Sequence, residues 1–208
     1  MKKFVKLSVI AFVTVALTSL SAQATITVTH QYTFEDGTAG NQIDPTMTDS
    51  VGTSHMTKLT GAAARYSSTV PGLGTSSTLS ADFSLESPPI RYDTSSGALW
   101  GTATDNFGME AWIQPLSDSG NQSILVNGFS TGVQGIYQVG SEYHMMLDGT
   151  LYDFNAAISG LGTWDHVAMV RDSGVATLYV NGVAIGSTSA AVSGTPNAHS
   201  FIGNPSPG

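Results

Sequence analysis

The sequence predicts an all-β protein built as a sandwich of two antiparallel sheets. Charged residues make up only 11% of the 208 residues, whereas surface helices are normally rich in Glu, Lys and Arg. Short runs of alternating or β-branched residues recur along the chain, with turn-forming pairs such as Asn181-Gly182 between them. No convincing helical hydrophobic period is found beyond residue 24. Many short antiparallel strands at this spacing are typical of a sandwich.

Residues 1–24 have the order of a secretory signal peptide. Three of the first six residues are lysine, residues 7–20 are apolar and uncharged, and Ala22-Gln23-Ala24 is a small-residue cleavage site. This apolar run is shorter than the ~20 residues that a membrane-spanning helix needs. We therefore expect a secreted or cell-surface protein with no transmembrane span, whose mature part, 25–208, is a single domain.

Charge and composition exclude several classes of function. The chain has 15 acidic residues against seven Lys or Arg, a formal charge of −8, and three of the lysines belong to the expected signal. Nucleic acid and anionic lipid are bound through clustered Lys and Arg, so nucleic acid is excluded as a partner. The chain has no cysteine, which excludes thiol catalysis and thiolate metal sites.

The first half of the chain gives few clear strands. Residues 31–34 form an aromatic and β-branched run that predicts an opening strand. Residues 61–106 are rich in Ser, Thr, Gly and Pro, and we expect loops and edge strands there, near 81–85 and 90–92. The segment 107–114 alternates cleanly. One of its faces holds Phe107, Met109, Ala111 and Ile113, and the other holds Glu110, Trp112 and Gln114.

The second half carries the strongest strand and turn signals. Residues 164–171 are apolar on both faces, which predicts a strand that is covered on both sides. Asn181-Gly182 separates two apolar runs, and this pair tolerates the positive φ angles of a type I′ hairpin turn. Asp148-Gly149 indicates a second hairpin. Further strands are predicted at 123–126, 136–139, 142–147, 150–154, 175–180 and 183–186.

Four motifs in order resemble one known family. The motifs are Phe107-Gly-Met-Glu-Ala-Trp-Ile-Gln-Pro115, Ile124-Leu-Val-Asn-Gly128, Trp164-Asp-His-Val-Ala-Met-Val-Arg-Asp172 and Thr177-Leu-Tyr-Val-Asn-Gly182. They are similar, in sequence and spacing, to the laminin-G-like jelly roll of the concanavalin A-like lectins and glucanases, which includes the pentraxins. The resemblance implies a two-sheet jelly-roll sandwich with its best-matched core at 106–204. Upstream, residues 32–37 and 48–52 resemble the opening strand and the "D-S-x-G" loop of that family.

The chain departs from the family at its end. In the family a further strand follows the segment that resembles Ser200-Phe-Ile-Gly-Asn204, whereas this sequence stops at Pro205-Ser-Pro-Gly208. A missing strand exposes a sheet edge. We therefore expect that the last strand is absent from this sequence or is replaced.

Catalysis by the route of the related glucanases is not expected. Those enzymes carry an E-x-D-x-E arrangement on one strand, and a retaining mechanism needs two carboxyls about 5 Å apart. The chain has only four glutamates, and none is followed by Asp two positions on; they are Glu35, Glu86, Glu110 and Glu142. The five histidines show no metal-binding spacing. The sequence therefore predicts a protein that is not an enzyme.

Two kinds of ligand site remain as candidates. The resemblance implies that Ca²⁺ binds through loop oxygens, and Asp36, Asp44 and Asp49 lie together in one polar region. Sugar rings stack on aromatic side chains, for which Trp100, Trp112 and Tyr143 are the candidates.

The function expected from these observations is a secreted or cell-surface binding or adhesion module. It would recognise carbohydrate, glycoconjugates or surface proteins without catalysis, with Ca²⁺ as a possible cofactor. Two alternatives stay open: a polysaccharide hydrolase or lyase on the same sandwich, and a structural surface protein without a ligand. Fold alone does not separate them, because this sandwich serves lectins, enzymes and adhesion domains.

Overall fold

The computed structural model describes residues 27–60, 63–72, 77–84, 90–94, 97–100, 106–129, 131–196 and 199–203. The expected signal peptide at 1–24 and the chain end at 204–208 lie outside these ranges. The described residues form 14 β-strands and no helix, which confirms the predicted all-β class. They therefore include no helix that is long and apolar enough to cross a membrane.

The strands are short and follow one another closely along the chain. The first seven are β1 (Thr46–Met47), β2 (Met56–Thr60), β3 (Arg65–Ser67), β4 (Ser80–Asp82), β5 (Arg91–Asp93), β6 (Phe107–Ile113) and β7 (Asn121–Asn127). The other seven are β8 (Gln134–Val139), β9 (Glu142–Leu147), β10 (Thr150–Ala157), β11 (Asp165–Asp172), β12 (Val175–Val180), β13 (Val183–Thr188) and β14 (Ser200–Gly203).

These strands form two main antiparallel sheets and one hairpin. The larger sheet has eight strands in the order β1-β2-β5-β14-β7-β8-β9-β10, and the smaller has four in the order β13-β12-β11-β6. Strands β3 and β4 pair separately. The late strand β14 lies between β5 and β7, so the larger sheet joins distant parts of the chain. This architecture confirms the predicted antiparallel jelly-roll sandwich.

The main core lies between the two sheets. Met109 of β6 and Met169 of β11 come from the smaller sheet, and they pack in one cluster with Ile136 of β8 and Met145 of β9 from the larger. Met145, Ile136 and Met169 are fully buried. The cluster confirms the alternation predicted for β6, since Phe107 and Ile113 also pack against it.

A second core lies under the N-terminal half of the larger sheet. Met56 of β2 and Tyr92 of β5 are fully buried, and they pack with Ile43 and with Tyr66 of β3. Strand β5 therefore lies inside the sheet, between β2 and β14. The expectation that 61–106 contributes only loops and edge strands is wrong at this strand, because the apolar ring of Tyr92 anchors it in the interior.

The opening strand expected at 31–34 is not formed. Instead of joining a sheet, Gln31 binds the loop that follows β1: its N–H donates to Asp49 Oδ1 at 3.0 Å, and its carbonyl accepts from the Ser50 N–H at 2.7 Å. The Tyr32 hydroxyl donates to the Ser54 carbonyl at 2.6 Å. The loop thus supplies the hydrogen bonds that a neighbouring strand would have supplied.

The hairpin turns have the predicted geometry. Asn181 and Gly182 have φ angles of 51° and 78°, and Asp148 and Gly149 have 53° and 77°, as a type I′ turn requires at both central positions. The prediction for β11 is wrong in one respect. Its outward-facing Val170 is 39% exposed, so this strand is fully covered on the core face only.

Candidate functional site

The eight-stranded sheet carries a second apolar surface on the face turned away from the smaller sheet, which we call the outer face. Side chains alternate along a strand. Because Ile136 and Met145 point into the core, Tyr137 and Met146 point outward. Tyr137 clusters there with Val126 of β7 and Phe201 of β14, with Met146 packed against them.

Strand register brings these residues into one row. Phe201 pairs with Val126, Val126 with Gly135, and Gly135 with Met146. A Cβ atom on Gly135 would lie 3.0 Å from the Tyr137 ring and 3.1 Å from Val126 Cγ2. The glycine therefore lets the Tyr137 ring and the Val126 side chain pack closely over its backbone.

Beside this row lies a shallow groove of about 240 Å³, which we call the aromatic groove. The ring of Phe129, in the loop between β7 and β8, is 49% exposed and stands beside the groove. The groove is lined by Gly128, Phe129, Val133, Tyr137, Met146, Gly149 and Phe201. Ligand pockets combine such apolar walls with a few polar groups that fix orientation.

Polar groups flank the aromatic groove on the β5 side. The Arg91 guanidinium lies 5.1 Å from the ring centroid of Phe201 and 5.6 Å from that of Phe129, which is cation–π distance. Arg91 also donates a hydrogen bond of 3.0 Å to Asp93, a carboxylate that is 2% exposed. His199 Nδ1 lies 3.8 Å from the same carboxylate.

On the β10 side of the outer face, an imidazole and two carboxylates come together. Glu142 and His144 lie on β9 and Asp153 on β10, and one ligand atom from each lies within 4.8 Å of the other two. His144 is 7% exposed, while Asp153 is exposed to solvent. The outer face thus carries an apolar centre with charged groups on two sides.

This arrangement suits a ligand with both apolar and hydroxyl surfaces. Aromatic faces pack against the C–H groups of a sugar ring, while charged and hydroxyl side chains bind its hydroxyls. Burial raises the pKa of Tyr137 to about 12, so its hydroxyl is neutral and able to donate a hydrogen bond at physiological pH.

The three aromatic residues predicted as sugar platforms lie in three separate places, outside the lining of the aromatic groove. Trp100 stacks on Phe107 with ring centroids 5.3 Å apart, and its Nε1 donates to Gln134 Oε1 at 2.7 Å. Trp112 packs on His166 at 5.1 Å, on the outward face of the smaller sheet.

Tyr143 differs most from the prediction. It is fully buried between the sheets, and its hydroxyl donates to Asp165 Oδ2 at 3.0 Å. The alternation of β9 explains this placement, since Tyr143 shares the inward face with Met145 and Leu147. The residue therefore presents no ring face to a ligand in this structure.

The aspartates predicted to bind calcium have protein partners. Asp44 pairs with Lys58 Nζ at 3.1 Å, and Asp36 accepts a hydrogen bond from the Tyr66 hydroxyl at 2.9 Å. Among the described residues, Asp36, Asp44 and Asp49 do not form a group with ligand atoms within 4.8 Å of one another. The structure therefore places them in one region without assembling a cation cage.

Asp49 is surrounded by donors. Its buried carboxylate accepts hydrogen bonds from His30 Nδ1 at 2.7 Å and from four backbone N–H groups, those of Gln31, Val51, Gly52 and Ser54. Burial opposes the charged form, but these hydrogen bonds outweigh it and hold the pKa of Asp49 well below its usual range. These donors surround the carboxylate with positive partial charge. Asp49 is therefore better suited to holding the loop together than to binding a cation.

The groove residues were missed at the sequence level because no local pattern links them. Phe129 lies in a loop, and Phe201 lies far along the chain on β14, which only the tertiary register brings beside β7. The Glu142, His144 and Asp153 cluster did leave a local signal. Strands paired outward from the Asp148-Gly149 turn place Asp153 opposite His144.

Solved structures resemble the chain in fold alone. The binding domain of botulinum neurotoxin serotype G has 14% identity and a TM-score of 0.47, covering 74% of this chain and 40% of its own. A structure described as HCR/D-Sa-GBL1/C has 12% identity and a TM-score of 0.50, covering 85% and 45%. The β-glucanase of Bacillus licheniformis has 13% identity and a TM-score of 0.32, covering 86% and 85%.

The chain therefore spans less than half the length of the first two structures. Comparison with curated proteins finds no match. A family model described as the concanavalin A-like lectin/glucanases superfamily matches residues 91–208, from β5 through β14 to the end of the chain. With the jelly-roll topology and the four motifs in register, this match shows that the chain belongs to the concanavalin A-like lectin/glucanases superfamily.

Proposed function

We propose that the protein is a non-catalytic binding module that takes carbohydrate in the aromatic groove. The observation that carries the proposal is the Phe129 ring, which is 49% exposed beside a groove floored by Tyr137 and Phe201. The ring extends the apolar surface of the groove, and contiguous exposed apolar patches commonly mark binding sites.

The groups around the groove support a sugar rather than a purely apolar ligand. Arg91 lies over the rings of Phe129 and Phe201 and binds the Asp93 carboxylate, so charged donors and acceptors adjoin the apolar surface. A sugar presents C–H faces to the rings and hydroxyls to such groups. The groove is shallow, which fits contact with one or two sugar units of a chain.

A direct test is glycan-array screening of the purified protein, followed by calorimetry with the best oligosaccharide. Phe129→Ala should lower affinity about tenfold, which corresponds to about 1.4 kcal/mol. Because the ring contacts Arg91 and Phe201, it should also lower the thermal unfolding temperature, by about 2–4 °C. Leu116→Ala is the matched control, because Leu116 is 57% exposed but lies outside the groove. Equal affinity of both variants and the wild type would refute the groove as the binding site.

Export and calcium dependence are further parts of the proposal. The order of residues within 1–24 supports secretion to the cell surface or medium, where glycoconjugates or surface proteins would be the partners. Calcium binding by Asp36, Asp44 and Asp49 stays a prediction. Glycan binding that is unchanged by EDTA and by added Ca²⁺ would argue against a calcium requirement.

One observation favours a second candidate, a polysaccharide-active enzyme. A carboxylate oxygen of Glu142 lies within 4.8 Å of one from Asp153, close to the spacing of a retaining glycosidase. Tyr137 also pairs across the strands with His144, and these two residue types can serve as general acid and base in the lyase alternative. Release of reducing or unsaturated ends from a polysaccharide panel, abolished by Glu142→Gln, would establish this candidate in place of the first.

A further inference from the structure

A set of potential metal ligands lies on the outer face beside the aromatic groove. Glu142 and His144 are two residues apart on β9 and therefore point to the same side, and Asp153 lies on the neighbouring strand β10. One ligand atom from each residue lies within 4.8 Å of the other two, and His144 Nε2 is 3.7 Å from Glu142 Oε2. The cluster joins one nitrogen ligand to two oxygen ligands.

The hairpin between β9 and β10 accounts for the meeting of these residues. Its strands pair regularly from Leu147 with Thr150 to Met145 with Tyr152, and an irregularity then follows between Tyr152 and Ala156. Asp153 falls at the start of this irregular segment, beside His144. Its Oδ1 accepts a hydrogen bond of 2.7 Å from the Asn155 N–H, which fixes the carboxylate next to the imidazole.

The burial of His144 and its lack of hydrogen-bond partners distinguish this cluster from an ordinary group of surface carboxylates. The residue is 7% exposed, and neither of its ring nitrogens has a hydrogen-bond partner. Buried polar side chains nearly always have one. A buried imidazole without a partner, directed at two carboxylates, points to a ligand that completes the site.

We infer that Glu142, His144 and Asp153 form a binding site for a divalent transition-metal ion, with Zn²⁺ as the best match. Zn²⁺ accepts His nitrogen and carboxylate oxygen together in a tetrahedral shell, whereas Ca²⁺ and Mg²⁺ take oxygen ligands. Bonds of 2.0–2.2 Å in that shell separate the ligand atoms by about 3.4 Å. The 3.7 Å between His144 and Glu142 needs only a small adjustment, and the exposed Asp153 side chain leaves the cluster open to an ion from solvent.

The structure also sets the expected strength of binding. A histidine that binds a metal usually donates its second ring N–H to an acceptor, and loss of that partner lowers affinity 10–100-fold. The second nitrogen of His144 has no such partner, so we expect an affinity about 10–100-fold below that of a site that has one. The site does not depend on glycan binding in the groove.

The test is calorimetric titration of the full chain, made without a polyhistidine tag and freed of metal with a chelator, using ZnCl₂ alone. One ion should bind per chain. Glu142→Gln and Asp153→Asn should each lower the affinity at least tenfold without changing the thermal unfolding temperature of the metal-free protein, because both side chains are at least partly exposed. His144→Gln should abolish binding, but the buried position makes the two carboxylate variants the decisive ones.

His166→Gln is the matched control. His166 Nε2 lies 3.2 Å from Glu110 Oε2 on the smaller sheet, a similar pair that belongs to no three-residue group in the described part of the chain. This variant should bind Zn²⁺ like the wild type. Absence of zinc binding by the wild type, affinity that survives both carboxylate substitutions, or displacement of Zn²⁺ by equimolar Ca²⁺ would each overturn the inference.

Discussion

The Tyr143 hydroxyl donates a hydrogen bond of 3.0 Å to a carboxylate, that of Asp165, which is completely buried. The same carboxylate accepts from Ser159 N–H at 3.0 Å, from Ser159 Oγ at 2.5 Å and from Asn181 Nδ2 at 2.8 Å. This network links β9 of the larger sheet to β11 of the smaller and to the turn after β12. A single buried charge thus ties together both layers of the sandwich.

Removal of the tyrosine hydroxyl should weaken the sandwich. Tyr143→Phe keeps the ring but leaves the buried Asp165 with one donor fewer, and hydrogen bonds to charged groups contribute about 1.5–3 kcal/mol. We expect the free energy of unfolding to fall by about 2 kcal/mol in urea denaturation. Tyr179→Phe on partly exposed β12 is the control and should change it by less than about 0.5 kcal/mol. Equal effects would show that the network does not stabilise the fold.

Stability should decrease in acid because of Asp49 and Asp165. Burial opposes the charge of each carboxylate, but the surrounding hydrogen bonds hold the pKa of both below the ordinary range. A folded-state pKa below the unfolded value gives stability that is complete above the unfolded pKa, about 3.9, and is lost as the pH falls through the folded pKa. Unfolding free energy measured at intervals from pH 7 to pH 2 should therefore decline below about pH 5.

Asp49→Asn separates this effect from general acid denaturation. The amide cannot accept the full set of N–H donors from His30 and the loop, so the variant should lose about 2 kcal/mol or more at pH 7. The wild type loses the same interaction progressively as the pH falls from the unfolded-state pKa toward the folded pKa, so the two stability curves should approach each other over that range. Curves that stay parallel down to pH 2 would show that Asp49 does not carry the pH dependence.

Much of the fold could be predicted from turn-forming residue pairs and from the alternation of side chains in the sequence. The two hairpin turns follow from Asn181-Gly182 and Asp148-Gly149, since these residue types tolerate positive φ. The inward face of β6 follows from its alternation around Met109. Residues 31–34 could not be assigned correctly, because what decides them is the distant Asp49 carboxylate that binds the Gln31 N–H.

The candidate site depends on long-range strand pairing, so less of it could be predicted from the sequence. Phe201 joins Val126 and Met146 only because β14 inserts between β5 and β7, and no short-range rule fixes that order. Tyr143 was a candidate by its residue type alone, whereas its alternation with the apolar Met145 and Leu147 places it on the inward face of β9. His144 and Asp153 lie one step beyond the last regular pair of the hairpin, Met145 with Tyr152, but they were not among the predicted site residues.

The loop that carries Phe129 depends on a glycine at position 132. Gly132 has a φ of 60°, and a Cβ atom there would lie 2.6 Å from the carbonyl oxygen of Gly194 and the nitrogen of Pro196. Gly132→Ala should therefore cost about 1–2 kcal/mol from backbone strain and about 1–3 kcal/mol from the clash. It should also lower glycan affinity, because the Phe129 loop must shift.

Gly120→Ala is the matched control for that substitution. Gly120 lies outside the aromatic groove. It has a φ of 77°, but nothing lies within 4 Å of its added Cβ atom, so only the backbone strain of about 1–2 kcal/mol applies. Chemical denaturation and glycan titration of both variants measure the difference. A Gly132→Ala protein that is as stable as Gly120→Ala would show that the approach of residues 194–196 is not tight.

Trp100→Phe distinguishes a supporting role from a ligand-binding role for this tryptophan. The indole Nε1 donates to Oε1 of Gln134, a fully buried amide whose Nε2 already has no hydrogen-bond partner. Phenylalanine preserves the stack on Phe107 but leaves both ends of that amide unpaired, which costs about 1–3 kcal/mol. We expect the unfolding free energy to fall by that amount while glycan affinity stays unchanged. Loss of affinity at wild-type stability would instead make Trp100 a sugar platform and move the binding surface away from the aromatic groove.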